Sequence, residues 1–320
     1  MSRVALLALA SLTALAAAAR AERAFELAVI ADNDKGSRRS TKVWQSSIKV
    51  GYISFDESLQ SVTSDARFHS SKRLESRLNW GGRGMELSTL GFFGGMLLAA
   101  GDKTGIVYKV LEGGAGVAPW AILAPGDGNQ PSNGKEGFKA EWMTVKDGLL
   151  YVGSNGKTTN PDRCWVKTIT PEGAVRHINW HSNWRKIERA LRIRVTHSVK
   201  TEAVQWSEAR RQWVILPKKE GRKKRERCMN KLVLADEHFD NIQVLTVGYR
   251  DVDKCFTGFQ FLPGSNDEVI VAVQALEDKD DDYLSSYLTV FTVDGRVLRR
   301  SHNIGRYVKY EGVVVLPKAN

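Results

Sequence analysis

Five polar residues interrupt otherwise apolar segments at nearly constant intervals: Ser88, Glu141, Glu202, Thr257 and Glu311 lie 53, 61, 55 and 54 residues apart. Each carries a side-chain oxygen. If a repeated fold brings them to one axis, the three glutamates repel one another and raise one another's pKa unless a cation sits between them. An all-oxygen set selects a hard cation, and a roomy ring of carboxylates and hydroxyls suits calcium better than the tighter octahedron of magnesium. Lys139, Lys200 and Lys309 each precede a glutamate by two residues, which on a strand puts both on one face. Two readings of this Lys-x-Glu pattern stand side by side: a channel mouth where calcium and lysines bind an anion such as phosphate, or three ion pairs that neutralise a buried channel.

Other motifs fail on spacing. Gly153-Ser154-Asn155-Gly156-Lys157-Thr158 resembles the end of a P-loop, but the first glycine of that motif falls at Tyr151 and no parallel βα unit follows. Asp32-Asn33-Asp34-Lys35-Gly36 opens like an EF-hand loop, yet its twelfth position is Val43, where a bidentate glutamate is required. His177 and His181 are four apart, but Ile178 stands where a zinc hydrolase needs glutamate.

The elements that must position the five polar residues read as strands. Segments 96–100, 149–152, 213–216, 269–273 and 288–293 are short alternating stretches separated by glycine-containing turns, with hairpins at Gly94-Gly95, Asp147-Gly148 and Asp294-Gly295. The one helix-like stretch is 184–194, short and strongly basic. A near-constant period with room for four strands predicts an all-β, five-bladed β-propeller with a calcium ion in its central channel. Glu311 lies only nine residues from the C-terminus. Its strand is therefore expected to close the ring against N-terminal strands from around 44–55.

The chain has 320 residues, 47 Lys and Arg against 36 Asp and Glu (net +11), 42% hydrophobic and 26% charged residues. That composition is globular and argues against disorder, collagen or a multispan membrane protein. Residues 1–21 pair a basic start with a short apolar run ending in Ala19-Arg20-Ala21, the form of a signal peptide, which leaves 22–320 as the propeller. Secretion is expected, or residence in the lumen of the ER or Golgi, with no membrane association after cleavage. The basic run 218–227 lacks interleaved stacking aromatics, so nucleic acid is not an expected partner and the run reads as a solvated loop. The acidic run 277–282 reads as a loop tip. Cys164, Cys228 and Cys255 show no CxxC spacing. One bridge with one free thiol is possible, and its pairing stays open.

Gly82-Arg83-Gly84-Met85-Glu86-Leu87-Ser88, Gly137-Phe138-Lys139-Ala140-Glu141-Trp142, Ala28-Val29-Ile30-Ala31-Asp32-Asn33-Asp34 and Val308-Lys309-Tyr310-Glu311-Gly312 closely resemble the calcium-activated nucleotidase, or apyrase, family, over about 25–315. The resemblance implies a five-bladed propeller that binds calcium and hydrolyses nucleoside di- or triphosphates to release inorganic phosphate. It places the calcium ligands at Ser88, Glu141, Glu202, Thr257 and Glu311, with Thr257 standing where relatives carry serine. It also implies roles in activity for Asp32, Asp34 and Asp102, and for Asp162, where the local sequence departs through Arg163-Cys164. Phosphoryl transfer to water needs charge neutralisation and an oriented nucleophile. Arg83, Lys139 and Lys200 are candidates to stabilise transition-state charge, and Asp32 or Asp102 to orient the water. Trp44 or Trp165 are candidates to stack on the base, against ordinary packing as the alternative. Two function classes remain: a calcium-dependent nucleotide phosphohydrolase, and a non-catalytic calcium-bound propeller that binds nucleotides or other anions.

Overall fold

A computed structural model describes residues 22–129, 137–221, 226–278 and 283–317. The expected signal segment 1–21, the centre of the basic run (222–225) and the centre of the acidic run (279–282) lie outside the described residues. Blade one holds β1 (Glu22–Ala31), β2 (Trp44–Asp56), β3 (Val62–Phe68) and β4 (Lys72–Ser76), and blade two β5 (Leu87–Phe93), β6 (Met96–Gly101), β7 (Ile106–Val110) and β8 (Val117–Ile122). Blade three holds β9 (Trp142–Lys146), β10 (Leu149–Gly153), β11 (Trp165–Ile169) and β12 (Val175–Asn179). A helix, α1 (His181–Ala190), leads to blade four with β13 (Ser198–Ser207), β14 (Gln212–Gly221), β15 (Arg227–Cys228), β16 (Lys231–Asp236) and β17 (Ile242–Thr246). Blade five holds β18 (Lys254–Phe261), β19 (Val269–Asp278), β20 (Tyr283–Thr292) and β21 (Val297–Arg306), and β22 (Tyr310–Val315) returns to blade one as its innermost strand. The expected five-bladed propeller is thus the architecture, and the expected hairpins are present: Gly94-Gly95 and Asp147-Gly148 both take positive φ at their two central positions, as a tight hairpin turn requires.

Ring closure differs from the expectation. β22 pairs with β1, Leu27 facing Val315 and Val29 facing Val313, whereas β2, the segment expected to meet it, lies one strand further out. Burial explains the order. In β1 the run 27–31 is buried on both faces, with Leu27, Val29 and Ala31 in the core shared with blade five and Ala28 and Ile30 in the core shared with blade two. β2 alternates buried with more exposed residues, which suits a strand further from the axis. β19 repeats the device, sending Val269, Val271 and Val273 to one neighbouring core and Ile270 and Ala272 to the other. Continuous apolar runs therefore mark strands wedged between two blades.

The helix begins earlier and ends earlier than the expected 184–194. Trp180 and Trp184 are drawn into an aromatic core with Trp142, Trp206, Trp213 and Phe239, and Glu188 is buried where the Thr158 hydroxyl (2.7 Å), Val199 N–H (3.2 Å) and Arg185 Nη1 (3.0 Å) donate to it. A disulfide joins Cys228 to Cys255 and so ties blade four to the inner strand of blade five, while Cys164 is a buried free thiol. Burial pushes that thiol up to about 12. Among the described residues no helix is long and apolar enough to cross a membrane.

Candidate active site

Strand register, not merely strand position, aims the five oxygen-bearing residues. On β5, Leu87 faces Gly101 and Thr89 faces Ala100, so Ser88 is an extra, unmatched residue. The same bulge recurs at Glu202 between Thr201 and Ala203, at Thr257 between Phe256 and Gly258, and at Glu311 between Tyr310 and Gly312. Glu141 precedes β9 and donates its N–H to the carbonyl of Gly153, the residue that faces Trp142 (2.8 Å). A β-bulge kinks its strand and re-aims one side chain, and here each bulge lies on the innermost strand of its blade. Close backbone packing keeps the ring tight: a Cβ on Gly258 would fall 2.2 Å from the Glu311 carbonyl oxygen, and one on Gly312 would fall 2.6 Å from Leu90 N.

One carboxylate oxygen from each of Glu141, Glu202 and Glu311 lies within 4.8 Å of the others. The Ser88 hydroxyl is buried without a hydrogen-bond partner among the described residues, and the Thr257 hydroxyl donates to the Tyr310 carbonyl (3.0 Å), which leaves its oxygen lone pairs available. Hard oxygens from all five blades around one axis fit calcium, which takes about 6–8 such ligands. These glutamates open onto a cavity of about 860 Å³ lined by eight carboxylates and eight cationic side chains. Its size suits a small-molecule substrate. Its balanced charge shows where much of the chain's lysine is used.

The lysines are bound into this network. Lys139 pairs with Asp102 and with Glu141 (2.7 Å), and Lys309 reaches Asp34 (2.8 Å), Asp32 (3.2 Å) and Glu311 (3.3 Å). The Lys-x-Glu pairing fails in blade four: Lys200 binds Glu226 (2.6 Å), and the partner of Glu202 is Lys218 (2.5 Å), which also approaches Glu277 and Glu311 (3.4 Å each). Arg83 forks onto Glu86 through Nε (2.5 Å) and Nη2, with Asp34 at 3.8 Å. Trp44 donates Nε1–H to the Gly82 carbonyl (2.9 Å) and so fixes the backbone beside Arg83.

Burial and charge separate the acids. Burial raises Asp32 well above the usual carboxylate range, against the pull of Lys309. Burial pushes Asp102 the same way, but Lys139 and Lys103 outweigh it and bring it to about 2, so it is ionised at neutral pH. Its Oδ1 has no hydrogen-bond partner among the described residues. Burial, with Glu311 and Glu141 nearby, lifts Glu202 to about 8 despite Lys218. Burial alone would lower Lys139, Lys218 and Lys309, yet the surrounding carboxylates more than offset it and all three are raised.

The cavity brings together Asp32, Asp34, Arg83, Asp102, Lys139, Lys200 and the three glutamates. Ser88 and Thr257 lie buried outside its lining, and it does not bring in Trp44, Trp165 or Asp162. Trp44 is buried in the core between blades one and two, Trp165 packs under the Lys167 ammonium (5.4 Å to its ring), and Asp162 is exposed on the short turn Pro161–Cys164. The expected set left out several members of this network. Lys218 and Lys219 belong to β14, with Lys218 buried, so this end of the basic run is not a solvated loop, and Glu277 sits on β19 against Lys218 rather than at a loop tip. Glu86 occupies, two residues before Ser88, the place the lysines occupy before their glutamates. That spacing was the available signal. A second carboxylate cluster, Asp32, Asp34 and Glu86, is already met by Lys309 and Arg83 and reads as ion-paired.

A family model described as Apyrase matches residues 32–316. "Apyrase" of Cimex lectularius is 35% identical over 306 residues, spanning 90% of this chain and 82% of that protein. "Soluble calcium-activated nucleotidase 1" of Mus musculus is 37% identical over 307 residues, spanning 90% and 73%, and "Apyrase apy-1" of Caenorhabditis elegans is 33% identical over 306 residues, spanning 91% and 84%. With a match this long on a propeller whose bulged inner strands gather those acids at its axis, the chain belongs to the apyrase family.

Proposed function

We propose that the chain is an exported, calcium-dependent phosphohydrolase that cleaves nucleoside di- and triphosphates and releases inorganic phosphate. The carrying observation is the axial arrangement: three converging glutamates that line a cavity of eight carboxylates and eight cationic side chains, and on the same ring of inner strands a buried serine hydroxyl without a partner among the described residues. Calcium held by Ser88, Glu141, Glu202, Thr257 and Glu311 supplies charge neutralisation at the phosphate oxygens. Arg83, Lys139 and Lys200 orient the phosphates by exchanging carboxylate partners for phosphate oxygens of similar geometry. Asp102, ionised and with an Oδ1 that no described residue contacts by a hydrogen bond, accepts a hydrogen bond from the attacking water, and Asp32, raised by burial, is suited to receive its proton. Asp34 holds Lys309 in place. Export is supported by the Cys228–Cys255 bridge, which fits an oxidising compartment.

The second reading, a binding protein without catalysis, is favoured by the fact that Lys139, Lys200 and Lys309 are all paired with carboxylates. Phosphate release from ADP, ATP, UDP and GDP in calcium, magnesium or chelator separates the two. Release in calcium supports the hydrolase. Absence of release, with calcium still raising the melting temperature, supports the binder.

A further inference from the structure

Three spaces lie in series along the channel, joined by two side chains of β13. Glu202 lines both the large cavity and a void of about 10 Å³, and Gln205 lines that void and a third space of about 370 Å³. A void of about 10 Å³ holds at most one water. Residues three apart on a regular strand point to opposite faces, but the bulge at Glu202 adds one residue and returns both side chains to the axis. Gln205 Nε2 donates to the carbonyls of Met143 and Phe259, 3.2 Å each. One amide thus ties the inner strands of blades three, four and five across the channel. Besides Glu202, the void's described walls offer a cation no carboxylate: Thr89 and Gln205 are the other polar side chains, and the rest are residues such as Leu90, Trp142, Val204 and Val313, so a divalent ion passing there loses most of its water with few oxygens to replace it.

We propose that Gln205 is a positioning residue that plugs the channel behind the calcium site, so that calcium enters before the nucleotide and cannot leave while the nucleotide is bound. This rests on the calcium-binding reading above. The test is stopped-flow release of calcium to a fluorescent chelator, with and without a saturating non-hydrolysable nucleoside diphosphate analogue. In the wild type the analogue is expected to slow release by about tenfold or more. Gln205→Ala and Gln205→Ser open the void and are expected to release calcium at nearly the same rate with and without the analogue. Gln205→Met keeps the bulk and is expected to restore the slowing, which a role confined to hydrogen bonding would not allow. The plug is overturned if the small variants, folded by their melting curves, are slowed as much as the wild type, or if analogue-bound wild type releases calcium freely. A wild type that binds no calcium overturns the parent reading instead, and is recognised because no release signal appears without the analogue either.

Discussion

Blades one and two differ from blade four at one corresponding place. On the second strand, the residue following the partner of the one that precedes each bulge is Asp32 in blade one and Asp102 in blade two, but Lys218 in blade four. The aspartates are anchored alike: Asp32 N–H donates to the Lys309 carbonyl and Asp102 N–H to the Glu86 carbonyl, 2.9 Å each. In blade five the same place is Ala275. A five-fold scaffold therefore repeats positions while each blade chooses its own chemistry. Aspartates stand on one side of the axis, and a lysine that pairs with the glutamates stands on the other.

If the difference is functional, exchanging the two sides' residues produces different kinds of damage. Lys218→Met leaves Glu202 and Glu311 short of a buried counter-ion, and in chelator it is expected to destabilise the protein by about 3–5 kcal/mol. Calcium should recover a large part of that loss. Denaturant melts with and without calcium check both statements, and an unchanged apo midpoint would remove Lys218 from the network.

On the opposite side, Asp32→Asn and Asp102→Asn are expected to lower phosphate release from nucleoside diphosphates by about a hundredfold or more, while the calcium-induced melting shift persists. Steady-state assays on the same preparations check this. Wild-type rates in both variants would reassign the water-orienting role.

The glutamates themselves should govern the calcium response. At a calcium concentration of ~100 times the dissociation constant, binding to the folded state alone adds about 2.7 kcal/mol, and Glu141→Gln or Glu202→Gln should blunt it. Its pH dependence has a definite sign. Glu202 titrates at about 8 in the folded protein against an ordinary 4.5, so between these values the folded state holds a proton the unfolded chain has lost. Apo stability from this group therefore falls as pH rises from about 5 to about 8. Calcium needs the ionised carboxylate, so its melting shift should be larger at pH 8 than at pH 5. Melting scans at the two pH values measure it.

The smallest effect is expected at Glu86, which holds Arg83 without facing the cavity. Glu86→Gln should raise KM by about tenfold or less through a less firmly placed guanidinium, with kcat changed little. A loss confined to kcat would show that Glu86 acts on the chemistry itself.

The sites were unevenly legible. Ser88, Glu141, Glu202, Thr257 and Glu311 stood out because a polar residue inside an apolar strand, repeated at one period, has few explanations other than a shared axis. Lys218 and Glu277 did not, because each lies at the end of a like-charged run, and such runs are normally solvated. Only the approach of β14 and β19 to the channel turns these charges inward. Trp44 shows the converse: its type invited a stacking role, but its indole is committed to Gly82.

Sequence alone determined the strand content, the number of blades and the chemistry available at the axis, since these follow from periodicity and residue type. The tertiary structure decided the closure of β22 on β1, the bulges that aim the ring, and which lysine meets which carboxylate. Those depend on register and on contacts between strands far apart in the chain. A one-residue bulge changes the face a side chain occupies without changing the apolar pattern that announces the strand.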